Sequence, residues 1–105
     1  MNNDKLRLEK ILGSDDLVKM SDTLLFIAHN ISDIEWAEKE FMKKADHYDE
    51  DISGLAITCL GHLARIQGKI DKKIVIPFLK EKMKSDNPII ASRAEDALDD
   101  INMFT

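Results

Sequence analysis

The chain has 105 residues, 44% of them hydrophobic and 33% charged, which suits one domain with its own core. Twenty acidic against fifteen basic side chains give a formal net charge of -5, without the basic stripe that phosphate binding uses, so composition points away from a nucleic-acid partner. The single cysteine, Cys59, excludes an internal disulfide, and Met1 to Lys10 carries charges in place of an apolar run, so the expected setting is reducing and cytoplasmic, with neither signal peptide nor membrane span.

Strand-like alternation is absent, while apolar residues recur at three- and four-residue steps almost throughout; the expected fold class is all-α, with six antiparallel helices. The first helix covers about 3–12 and ends at Gly13. The second, about 15–29, puts Leu17, Met20, Leu24, Ile27 and Ala28 on one stripe, with Ser14 as its cap. Ser32 and Glu35 stand at capping-box spacing on the third, about 32–45, whose face is Ile34, Ala37, Phe41 and Ala45. Asp49 caps the fourth, about 50–66, with Glu50 and Asp51 in its first turn and Gly68 closing it. The fifth, about 72–84, is expected to be capped by Asp71 and kinked at Pro77. Asn87 and Pro88 open the sixth, which runs on through Ile90, Ala94, Ala97, Leu98 and Ile101.

A segment near 41–63 recurs at 79–101, shifted by 38 positions: Phe41 matches Leu79, Ala45 Met83, Ile52 Ile90, Ala56 Ala94, Cys59 Ala97, Leu60 Leu98 and Leu63 Ile101. A period near 40 whose unit is a pair of helices is the mark of a stacked helical solenoid, in which no unit buries its apolar face alone. The division is one domain over 1–105, with a short first unit at 1–30 and repeats at about 32–67 and 71–104. In Ile76-Pro77-Phe78-Leu79, Met83, Asp86, Ile90, Ala94, Ala97, Leu98 and Ile101 the chain resembles HEAT repeats. The resemblance implies a proline-bearing first helix, an aspartate in the turn and an Ala, Ala-Leu second helix; the arginine usual in that second helix is Ser53 in one unit and Ala91 in the other.

Few residues suggest chemistry. His62 lies three positions after Cys59, but two further zinc ligands are missing. His29, His47 and His62 are never followed by glutamate, unlike the paired motifs of HEAT-type di-iron hydroxylases. Asp49, Asp51, Ser53 and Gly54 fit the opening of a calcium loop, yet its twelfth position is Leu60. No phosphate loop or nucleophile elbow is present. The expectation is a protein that is not an enzyme and that uses no cofactor or metal.

The 38-residue shift pairs Gly54, Thr58, Gly61, His62 and Arg65 with Ser92, Asp96, Asp99, Asp100 and Met103, beside or opposite the core stripe. In a solenoid these positions line the inner surface, where Asp96, Asp99 and Asp100 form an acidic patch joined at one edge by Asp49, Glu50 and Asp51. Tyr48 is the exposed aromatic candidate, whereas Trp36, off the core stripe of its helix, is assigned to packing between units. Tyr48, Asp49, Glu50, Asp51, Thr58, His62, Arg65, Asp96, Asp99 and Asp100 are therefore the candidate partner-binding residues. Through Tyr48-Asp49-Glu50-Asp51, Gly61-His62-Leu63-Ala64-Arg65 and Pro77-Phe78-Leu79-Lys80 the chain resembles small bacterial HEAT-type immunity proteins of contact-dependent growth inhibition systems. That resemblance implies a one-to-one complex with a cognate toxin domain, a basic nuclease, EndoU-type RNases among the candidates. The other reading is an adaptor that binds some other basic protein.

Overall fold

The computed structural model describes residues 2–105, and side chains from Asp4 onward. It contains six helices: α1 (Asn2–Leu12), α2 (Leu17–Asn30), α3 (Ile34–Lys44), α4 (Glu50–Gln67), α5 (Lys72–Lys82) and α6 (Pro88–Phe104). No strand occurs among the described residues, in keeping with the all-α expectation. Consecutive helices pair as hairpins, α1 with α2, α3 with α4 and α5 with α6, and α4 lies between α2 and α6. The even-numbered helices form one layer and the odd-numbered helices the other, and the shortest dimension, 17 Å against 34 and 28 Å, is that of two helix layers.

Contacts between units preserve the chain direction. Glu50 meets Asn87, Thr58 meets Arg93 and Arg65 lies by Phe104, so α4 and α6 run parallel at nearly the register of the sequence repeat. The same holds for the first unit, which the 38-residue shift does not reach. A shift of 36 sets Met20, Thr23, Leu24, Ile27 and Ala28 on Ala56, Cys59, Leu60, Leu63 and Ala64, and all ten are buried. The Cys59 thiol donates to the Leu24 carbonyl across that seam. Three equivalent units are therefore stacked. Of the seven apolar pairs in the repeat, Met83 and Leu98 alone are not fully buried; both belong to the last unit, which has no neighbour beyond it.

Helix ends follow local chemistry, with corrections. Asp16, not Ser14, caps α2, its side chain accepting from the Lys19 amide, while the Ser14 hydroxyl turns back to the Ile11 carbonyl. Asp33 displaces Ser32 as cap of α3 by accepting from the Trp36 amide at 3.1 Å; in both cases the aspartate one or two positions nearer the helix has the reach to the third amide. Asp49 and Asn87 cap α4 and α6 as expected, and Gly68 ends α4 in the left-handed region, φ 66°. Asp71 occupies the cap position of α5 but its side chain makes no capping bond. Instead the buried Glu38 of α3 accepts from the Asp71 amide at 2.7 Å, tying two units together. At the position of the missing repeat arginine, the buried Ser53 hydroxyl donates to the Ala45 carbonyl at 2.5 Å and braces the α3–α4 turn. α5 continues through Pro77 as one helix.

Candidate functional site

The exposed side of the even layer is built from three parallel columns. Along α4 the column runs through Asp51, Leu55, Thr58, His62 and Arg65, with Leu55 packed partly against the core; the shifts of 36 and 38 place Asp22, Phe26 and His29 of α2 and Asp96, Asp100 and Met103 of α6 beside Thr58, His62 and Arg65. Observed contacts agree: the His29 and His62 rings are 6.1 Å apart, Arg93 donates to the Thr58 hydroxyl at 3.1 Å, and the Arg65 guanidinium lies over the Phe104 ring at 5.8 Å. Burial holds the His62 imidazole below its ordinary pKa, assisted by the charges of Arg65 and His29 and opposed by Asp100.

Not all the sequence-selected residues share this surface. Asp51, Thr58, His62, Arg65, Asp96 and Asp100 lie in the adjoining α4 and α6 columns, Asp51 at their far end. Gly54 and Gly61 do not line it: both are buried in the α4–α6 seam, where a Cβ on Gly61 would stand 3.1 Å from the Ala97 Cα. Asp99, the repeat partner of Gly61, occupies the same row of α6 and so stands on the free edge of the stack, exposed. Asp49, Glu50 and Asp51 gather at the N-terminal end of α4, about 12 Å along the helix axis from the level of Asp96. Asp49 is engaged as a cap and Glu50 accepts from the Asn87 amide group at 2.6 Å. Tyr48 is 81% exposed and stacks on His47, ring centres 4.4 Å apart. Trp36 is a brace between units, its indole N–H donating to Glu9 at 2.9 Å with the Lys5 ammonium over its ring.

Charge is sorted between the layers. The even helices carry seven carboxylates against three cations, and the odd helices ten cations against six carboxylates. Every ion pair among the described residues belongs to the odd layer and its flanking turns: Lys5–Asp33, Arg7–Asp4, Lys39–Glu35, Lys43–Glu40, Lys82–Asp46 and Lys84–Glu81. Glu95, Asp96, Asp99 and Asp100 are in none of them. Arg93, Phe104 and His29 join this surface without having been selected from sequence. Phe104 is the repeat partner of Ile66, an eighth apolar pair just past the seven counted, and His29 matches Arg65 only once the first unit is aligned by 36.

No family model, curated protein or solved structure matches this chain. Cys59 and His62 diverge, the thiol facing the Leu24 carbonyl and the imidazole facing His29, and no group of three or more metal-ligating side chains converges among the described residues. Among the described residues no helix is long and apolar enough to cross a membrane.

Proposed function

We propose that this chain is an immunity protein that neutralises a cognate toxin domain, a basic nuclease, by covering it in a stoichiometric complex through the even-layer surface. The observation that carries the reading is the sorting of charge: of the six carboxylates on the odd helices four are in ion pairs and the other two, Glu9 and Glu38, accept hydrogen bonds, whereas the four on α6 are in no ion pair among the described residues. Unpaired carboxylates along one rigid helix attract a cationic surface and accelerate encounter. Around them lie the groups that commonly anchor interfaces, an arginine stacked on an aromatic and a methionine that is 75% exposed: Arg65, Phe104 and Met103. The protein acts on this reading by occupancy alone, from the cytoplasm of the cell it protects.

Co-expression of the chain with the toxin encoded beside it tests the proposal. Growth should be restored in proportion to the amount of chain made. An unprotected culture despite soluble, folded chain would refute it, and binding to a non-toxic basic protein instead would favour the adaptor.

A further inference from the structure

The two edges of the stack are built differently. On α4 the row that receives the next unit is Gly54, Ile57, Gly61 and Ala64, small or apolar and all buried; the same row on α6 is Ser92, Glu95, Asp99 and Asn102, polar and all exposed. That edge is closed to further stacking, because covering it would strip water from two carboxylates. On the opposite edge the corresponding row of α2 is Lys19, Thr23, Phe26 and Asn30, which has a large aromatic in its middle and no carboxylate. Between α1 and α2 runs a groove lined by Arg7, Leu8, Ile11, Asp22, Thr23 and Phe26, mostly apolar, with Phe26 43% exposed.

We infer that this groove is the contact surface of a homodimer, in which two copies meet edge to edge across a two-fold axis. The arrangement of charge selects the occupant. Arg7 stands on the α1 wall and is paired with the exposed Asp4 at 3.6 Å, and Asp22 stands on the α2 wall, in no ion pair among the described residues. A two-fold axis running along the groove exchanges the walls, so each Asp22 faces the α1 wall of the other copy and its Arg7, while Phe26 covers the partner's apolar floor. Head-to-tail stacking is disfavoured, since it would lay Glu95 and Asp99 on Leu8, Ile11 and Phe26. The dimer leaves the α4 and α6 columns of both copies open, so it is compatible with toxin binding but does not depend on it.

Sedimentation equilibrium of the full chain over a roughly hundredfold concentration range should show the mass rising from one chain to two and no further. Phe26→Glu should weaken the dimer by about 30-fold or more with helical circular dichroism unchanged. Arg7→Asp and Asp22→Arg, both at exposed positions, should each weaken it about tenfold and restore it when combined; they decide the matter should Phe26→Glu not fold. A mass of one chain throughout, assembly beyond two chains, or a dimer indifferent to all of these changes would overturn the inference.

Discussion

Gly61 shows how much a single absent side chain decides. A Cβ there would lie 2.9 Å from an Asp100 carboxylate oxygen and 3.1 Å from the Ala97 Cα, so the parallel approach of α4 and α6 depends on its absence. Gly61→Leu should therefore cost about 2 kcal/mol in denaturant unfolding, as overpacking at a tight seam does. Gly54 is the control: its nearest neighbour is the flexible Arg93 side chain at 3.4 Å, and Gly54→Ala should be neutral or stabilise by up to about 1 kcal/mol through helix propensity. Burial pushes the Cys59 thiol up to about 12, so it should resist alkylation at neutral pH until the chain is unfolded, which mass spectrometry would follow. A glycine inside a helix costs about 1 kcal/mol relative to alanine, and at Gly61 the close approach of α6 is what requires it.

Elements were legible where the local signal was unambiguous. Asp49, Asn87-Pro88 and Gly68 mark helix ends in isolation. Ser14-Asp15-Asp16 and Ser32-Asp33 each offer competing caps, and only the geometry of the chain entering the helix chooses between them. Glu38 was not legible, because a buried glutamate on α3 makes sense only beside the Asp71 amide of the next unit. Burial raises its pKa, with the Asp71 amide opposing and the Asp71 and Glu35 charges adding. A carboxyl that binds its proton more tightly when folded gives stability that grows as pH falls through the folded pKa. Glu38→Gln, which keeps an acceptor, should thus raise stability at neutral pH and remove that gain. His62 has the opposite sign. Its pKa is lowered on folding, so its contribution is present above about 6.5 and lost as pH falls through that range. Thermal unfolding at pH 7.5 and 5.5 should show a smaller loss for His62→Gln than for the native chain.

At the scale of the molecule, a period of 38 revealed two units and the stack contains three, because the first repeats at 36 and keeps the burial pattern but few of the residue types. Net charge concealed a second property. The acidic layer and the basic one cancel, so the total of -5 is the charge of the turns alone, and the separation between layers exists only once alternate helices are assigned to opposite sides. The central claim is that the carboxylates of α6 meet a cationic partner. Calorimetric titration of the cognate basic toxin domain that the proposed function calls for, with the native chain and with Asp96→Lys, Asp99→Lys and Asp100→Lys combined, tests it most directly. The account predicts one-to-one binding by the native chain and a loss of at least about tenfold in affinity for the variant, most of it from positions 96 and 100, with the helical signal intact. Equal affinity for both chains would contradict it.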